Sequence, residues 1–219
     1  MFSEVAPRYD RLNRLLSLRQ DVRWRRRLLE ALSLAPAGPV LDLATGTGDV
    51  ALGVRGRSVV GADFTPQMLE LARSKARRRG RNLTWILADA LRLPFAPGSF
   101  AAVTIAFGAR NFSDLGGAFR EIGSVLSPGG VLAVLELHRP RRRAVAGLIA
   151  TWNRLVVTPV GRIVSRTGDA YAYLPASVDT FPDRAGTAAI LEAQGYAMLE
   201  SRDLSGGIAA LNVARWGGT

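Results

Sequence analysis

Between residues 39 and 136, short aliphatic and β-branched runs alternate with stretches whose apolar positions recur every three or four residues. The first spacing sends side chains to alternate faces of a strand, and the second gathers them on one side of a helix. Strands are predicted at 39–44 (PVLDLA), 58–63 (SVVGAD), 83–89 (LTWILAD), 101–108 (AAVTIAFG) and 130–137 (GVLAVLEL). Helices fit between them at 65–79 and 114–126, and "SPGG" at 127–130 is a stop signal for the second. After a final helix at 183–194, "YAMLESRDL" (196–204) and "GIAALNVARW" (207–216) read as two more strands closing one edge. Alternation of this kind is the signature of a parallel sheet with crossover helices on its faces.

Two regions stand outside the alternation. Residues 1–35 read as N-terminal helices, with the basic run "RWRRR" (23–27) on a solvated face. Residues 138–182 interrupt the sheet as a helical cap, in which Val145, Leu148, Ile149, Trp152, Leu155 and Val156 keep helical spacing. Asn153, Arg154 and Pro159 argue against a membrane-spanning helix there, so an amphipathic cap helix is the expectation. The 219 residues suit a single well-buried domain.

Composition narrows the chemistry. Cysteine is absent, which removes disulfides, thiolate metal sites and cysteine nucleophiles together. The opening "MFSEVAPRYDRLN" lacks the apolar core of a secretory signal, so a cytoplasmic location is expected. The net charge of +11, with Lys75 the single lysine among 29 basic residues, suggests attraction to nucleic acid, a lipid headgroup surface or an acidic substrate, or a biased source composition.

The richest stretch is "VLDLATGTGDVAL" (40–52), which fits the dinucleotide pattern G-x-G-x-x-A at Gly46, Gly48 and Ala51. In open α/β sheets ligands bind beyond the carboxyl ends of the strands, so the first strand delivers Asp42 and the loop 44–49. A pyrophosphate would sit at the N-terminus of a helix starting after Gly48, where Asp49 opposes it. Two like charges about 4 Å apart repel by roughly 4 kcal/mol at an effective dielectric near 20. The loop therefore suits a ligand with a positive group, such as the ammonium of S-adenosylmethionine, unless Asp49 is a solvent-facing cap. Asp63 ends the second strand, placed for ribose hydroxyls, and Asp89 ends the third, placed for an adenine amino group. Acids 42, 49, 63 and 89 thus gather at one edge of three consecutive strands.

The fourth strand ends in "TIAFGARNFSD", without the [DNS]-P-P-[FYW] tetrad of nucleic-acid amino methyltransferases, and no cysteine is present for pyrimidine C5 chemistry. Both absences weaken a nucleic-acid reading, and no nucleic-acid partner is expected. Together "VLDLATGTGDVAL", "GADFTPQMLELA", "LADALRLPFAPGSFAAVTIAFGARNFSD", "VLSPGGVLAVLE", "RTGDAYAYLPASVDTFPD" and "SGGIAALNVARW" resemble the menaquinone/ubiquinone-biosynthesis C-methyltransferases. The opening "MFSEVAPRYDRLNRLLSL" is similar as well, so the resemblance runs over nearly the whole chain.

The resemblance implies a Rossmann-like class I methyltransferase fold with a seven-stranded mostly parallel sheet. It also implies S-adenosylmethionine as cofactor and a polyprenylated hydroquinone as substrate, demethylmenaquinol or its ubiquinone-pathway counterpart. Carried over by motif, cofactor contacts fall on Thr47, Asp63, Asp89 and Ala90, in a set that also takes in Asp42, Gly46, Gly48, Asp49, Phe64, Met68 and Ala106. The family often has serine where this chain has Ala106, and a small hydroxyl residue where it has His138.

A ring carbon becomes nucleophilic once a neighbouring hydroxyl is deprotonated. Arg110 is the candidate to stabilise that oxyanion, with pairing to Asp114 as its alternative. Asn111 can bond the ring oxygen or orient a water, and Tyr9 can close over the ligand. Phe107, Tyr171, Tyr173 and Leu174 are expected to line the ring pocket. His138, the single histidine, is the obvious titratable base, but a surface or supporting role is favoured because the family manages without it. The polyprenyl tail and "RPRRR" (139–143) before the cap stripe suggest contact with a membrane surface, and a homodimer is open. Competing readings are an RNA or small-molecule methyltransferase and an NAD-binding oxidoreductase.

Overall fold

A computed structural model describes residues 17–138 and 177–218 together with positions 140, 147 and 151. Tyr9, Tyr171, Tyr173, Leu174 and the expected cap helix lie outside the described residues. Seven strands form one sheet: β1 (Val40–Leu43), β2 (Val59–Asp63), β3 (Thr84–Leu87), β4 (Phe100–Ala106), β5 (Leu126–Leu137), β6 (Tyr196–Leu204) and β7 (Ala209–Trp216). Their order is β3-β2-β1-β4-β5-β7-β6, and β7 runs antiparallel to both its neighbours. The chain leaves β1 in one direction through β2 and β3, then returns to β1's other side as β4. That reversal opens a crevice at the carboxyl ends of β1 and β4.

Among the described residues the helices that cover the sheet are α1 (Gln20–Glu30), α2 (Pro66–Arg78), α3 (Leu115–Val125) and α4 (Arg184–Ala193). Strand alternation divides the core. Val131, Ala133 and Leu135 of β5 join Trp24 and Leu28 of α1 and Leu69, Ala72 and Ala76 of α2 on one face. Leu132 and Val134 join Phe119 and Ile122 of α3 and Leu191 of α4 on the other. Asp114 and Asp183 cap α3 and α4, accepting from the N–H groups of Gly117 and Gly186 at 2.9 Å each.

The structure departs from the sequence pattern in three places that matter for the site. The helix expected after Gly48 is instead a series of turns over 46–53. The Ala51 N–H, which a helix would give to the carbonyl four residues back, goes to the Asp42 carboxylate at 3.0 Å. "RWRRR" is not wholly solvated: Trp24 is buried and donates Nε1–H to Ser205 Oγ at 2.9 Å, while Arg23, Arg26 and Arg27 are exposed. "SPGG" ends α3 but opens no loop, because β5 already begins at Leu126 and absorbs it with a register shift opposite β4. Among the described residues no helix is long and apolar enough to cross a membrane.

Candidate active site

The first half of the site is built on β1, β2 and β3. Asp42 is 1% exposed, and its carboxylate accepts from Thr45 Oγ1 (2.5 Å), Thr104 Oγ1 (2.9 Å) and Ala51 N–H (3.0 Å). Burial drives its pKa up to about 6, partly offset by those hydrogen bonds. Every donor it receives comes from the loop or from β4, so Asp42 shapes the loop from behind. Asp63 sits farther forward. Its Oδ2 accepts from Gly46 N–H at 2.7 Å and its Oδ1 from Thr65 N–H at 2.9 Å, while burial raises its pKa. Asp89 is exposed just beyond β3, with Oδ1 accepting from Leu91 N–H at 2.9 Å and Ala90 buried beside it.

The two loop glycines do different jobs. Gly48, at φ +80°, lies over the Trp85 indole, where a Cβ would come within 2.6 Å of the ring. Gly61 beneath it meets the same ring at 2.5 Å, so an aromatic floor, not a ligand, demands glycine at these positions. Gly46, at φ +55°, has open space where a Cβ would stand. A ligand can therefore lie against the Gly46 backbone, between Asp63 and the exposed Phe64 ring. Met68 is buried on α2. A nucleoside suits these groups: Asp63 to accept from vicinal hydroxyls, an aromatic face at Phe64, and Asp89 to accept from an exocyclic amine.

Asp49 is held from within the protein. Its Oδ1 is 2.5 Å from Lys75 Nζ and its Oδ2 is 3.7 Å from Arg25 Nη1. Lys75 also donates to Thr47 Oγ1 at 3.1 Å, tying the loop to α2. The charge that in the sequence invited a cationic ligand is thus matched by two cations of the chain itself. Asp49 ties the loop to α2 and stands near α1.

The second half of the site is the turn after β4. Phe107 has φ +61° and Ala44, at the tip of β1, has φ +53°, both unusual for residues with a side chain. A Cβ on Gly108 would overlap that of Ala44, so the tips of β1 and β4 close on each other at the strand-order reversal. Ala106, the last residue of β4, is half-buried there. Arg110 does not pair with Asp114. Its Nη1 lies 2.5 Å from Glu136 Oε1 and donates to the Phe107 carbonyl at 2.6 Å, and its side chain is 7% exposed. Its main-chain N–H also bonds Glu136 Oε2 at 3.2 Å. The guanidinium group expected to face an oxyanion is therefore drawn inward to brace the turn. Asn111 ends the short 3-10 turn Ala109–Asn111 and is exposed.

Glu136 is the functional residue that the sequence pattern did not single out. It is 1% exposed on β5, yet it obeys the rule that found Asp63, being an acid near the carboxyl end of a strand. His138 follows two residues later and is buried, so of its two expected roles the surface one does not hold and the supporting one remains. Its ring packs on Phe181 at 5.6 Å and bonds the Pro182 carbonyl, and burial lowers its pKa.

Comparison with known proteins places the chain in a family and agrees with its fold. The model of the ubiE/COQ5 methyltransferase family matches residues 1–215. A protein of Thermus thermophilus called demethylmenaquinone methyltransferase is 48% identical over 97% of this chain and 98% of its own length. A protein of Syntrophotalea carbinolica called ubiquinone/menaquinone biosynthesis C-methyltransferase is 42% identical over 96% and 90%. Among solved structures, a SAM-dependent methyltransferase from Aquifex aeolicus superposes with TM-score 0.63 at 16% identity, covering 88% of this chain and 89% of its own. The [4+2]-cyclase SpnF superposes with TM-score 0.68 at 20% identity, covering 90% and 81%. The same sheet thus carries more than one chemistry, and the residues at its edge must decide.

Proposed function

This chain belongs to the ubiE/COQ5 methyltransferase family, and on that premise we propose that it transfers a methyl group from S-adenosylmethionine to a ring carbon of a polyprenylated hydroquinone. The acceptor we assign is demethylmenaquinol, giving menaquinol. One observation carries the reading: a nucleoside-shaped acid edge and the Phe107–Asn111 turn flank one crevice in a chain 48% identical to a demethylmenaquinone methyltransferase.

Bound S-adenosylmethionine supplies an electrophilic methyl on sulfonium. Asp63 accepts the ribose hydroxyls while the Gly46 N–H keeps its carboxylate turned to the loop. Asp89 takes the adenine amine, and the exposed Phe64 ring covers the base. On the acceptor side, Glu136 holds Arg110, and Arg110 holds the Phe107 carbonyl, so the turn is fixed before the ring arrives. Such preorganisation matters because methyl transfer needs its reacting atoms aligned and about 3–3.5 Å apart. Asn111, on the exposed end of the turn, orients the ring hydroxyl or a water that takes its proton. Tyr9, Tyr171, Tyr173 and Leu174 complete the ring pocket in this reading. Because the acceptor's tail resides in a bilayer, the enzyme works at the inner face of the cytoplasmic membrane, drawn there by its +11 charge.

The relative from Syntrophotalea carbinolica, whose name covers both quinone pathways, supports a second acceptor, the benzoquinol counterpart. One assay decides: incubation with methyl-labelled donor and either short-chain demethylmenaquinol or a demethoxy-type benzoquinol, followed by product mass. A single added methyl on the naphthoquinol is expected. Labelled RNA with neither quinol labelled would overturn the proposal.

A further inference from the structure

Helix α1 reaches both halves of the site through one side chain. Arg25 Nη1 lies 2.5 Å from Asp21 Oδ2 on its own helix and 3.7 Å from Asp49 Oδ2 on the loop. Its Cζ stands 5.4 Å from the centre of the Phe107 ring, which Trp24 also flanks at 6.1 Å. Asp21 is itself anchored by Ser17 Oγ at 2.8 Å, and the Arg25 side chain is 17% exposed. The guanidinium group therefore meets carboxylates on one side and lies within cation–π range of an aromatic ring on the other. Arginine is suited to this double use, because its planar fork pairs along the edge and stacks on the face.

We infer that Arg25 is a positioning residue that couples the methyl-donor loop to the acceptor turn. This rests on the assignment of those two segments to donor and acceptor. Phe107 holds a left-handed backbone without being glycine, so its ring has to be kept in place by contacts from outside the turn. Main-chain contacts fix the backbone: its N–H donates to the Leu135 carbonyl at 2.8 Å, and its own carbonyl accepts from Arg110. Trp24 and Arg25 steady the ring, and the other end of Arg25 steadies the loop through Asp49. A shift of the loop is thereby transmitted to the ring against which the acceptor would stack. Donor and acceptor need not touch Arg25 for it to set the gap between them.

The test is a split between binding and turnover in Arg25→Gln, Arg25→Lys and Phe107→Leu. S-adenosylhomocysteine affinity is expected to stay within about threefold in all three, while kcat falls about 30-fold in Arg25→Gln and about 10-fold in Arg25→Lys. Phe107→Leu should lower kcat comparably, and adding Arg25→Gln to it should cost less than about threefold more. A role confined to stability predicts a lower melting temperature with kcat unchanged, and that result, or losses that multiply in the double variant, overturns the inference. If Arg25→Gln does not fold, the charge-preserving Arg25→Lys decides between the two outcomes. If the wild-type enzyme methylates no quinol, the acceptor assignment fails separately, and amide exchange then judges Arg25. S-adenosylhomocysteine should slow exchange over 107–111 at least about fivefold in wild type and less than about twofold in Arg25→Gln. Equal slowing in both overturns it.

Discussion

The two halves of the site use their acids in opposite ways. On the donor side Asp63 and Asp89 are met by main-chain N–H groups, which orient each carboxylate without neutralising it. On the acceptor side Glu136 is buried and paired with Arg110, so its charge is spent on geometry. Oriented but unneutralised acids can bind a ligand's hydroxyls and amines, whereas a neutralised pair holds a strained turn still. Asp49, paired with Lys75, shows the second use inside the donor half, and Asp42 holds the same loop through neutral donors behind Asp63.

The largest break in this contrast should come from Glu136→Ala. It strands the Arg110 cation where its side chain is 7% exposed, and breaking a buried pair in this way costs about 3–5 kcal/mol. Urea unfolding should show that loss, and Glu136→Gln, which keeps an acceptor, should lose less. Equal losses would mean that the charge is immaterial. Next in size is Gly48→Ala. The new Cβ meets the Trp85 ring at 2.6 Å, and the backbone at φ +80° resists a side chain, together about 2–3 kcal/mol. Gly46→Ala separates floor from ligand: its Cβ meets nothing within 4 Å, so beyond about 1 kcal/mol of backbone strain at φ +55° its cost should fall on cofactor affinity rather than on packing.

Asp63→Asn sharpens the donor side. It should weaken S-adenosylhomocysteine binding about 10–100-fold, or about 1.4–2.8 kcal/mol, in a calorimetric titration while leaving the melting temperature nearly unchanged. The pKa of Asp63 is raised by burial and that of Asp42 stands at about 6. Wild-type affinity should therefore begin to fall above the ordinary carboxylate range, as the raised Asp63 carboxyl protonates, with Asp42 behind the loop protonating near pH 6. The folded chain meanwhile takes up those protons before the unfolded one, so these two groups add stability as pH falls toward 4. Affinity and stability should move in opposite directions over that interval. Parallel movement would contradict the assignment.

The donor half was open to sequence reading because its signals are local. Strand ends, an acid at each end and a glycine loop all fall within 40–90, and β1, β2 and α2 lie within two residues of the predicted spans. What could not be read there is which acid faces outward. Asp49 looked like the ligand's partner because Lys75, its ion-pair partner, lies 26 positions downstream on another element. The acceptor half depends on pairings as long or longer. Arg110 and Glu136 are 26 residues apart, Trp24 and Ser205 are 181 apart, and no local periodicity records either contact. Glu136 did carry a signal, as an acid in an otherwise apolar run at 130–137.

The smallest predicted effect bears on whether the acceptor half titrates at all. His138 is 6% exposed, its Nδ1 has no hydrogen-bond partner among the described residues, and its ring bonds the Pro182 carbonyl. Because a carbonyl only accepts, the ring proton belongs on Nε2, leaving Nδ1 as a bare acceptor. Burial lowers the ring's pKa, outweighing the opposite pull of Glu136 on its own strand, Asp183 before α4 and Asp203 on β6. A lowered folded pKa means that the unfolded chain binds the proton first, so stability is lost as pH falls through about 6.5. The slope from one such group is at most about 1.4 kcal/mol per pH unit. His138→Ser should flatten the stability profile between pH 5 and 7 and change stability at pH 8 by no more than about 1–2 kcal/mol. Since the ring is already neutral at higher pH, activity from pH 7 to 9 should be the same in both proteins. A marked loss of kcat across that range in the serine variant would make His138 the base. Its absence leaves proton removal to water at the exposed end of the turn, beside Asn111, and confines pH sensitivity in ligand binding to the donor acids.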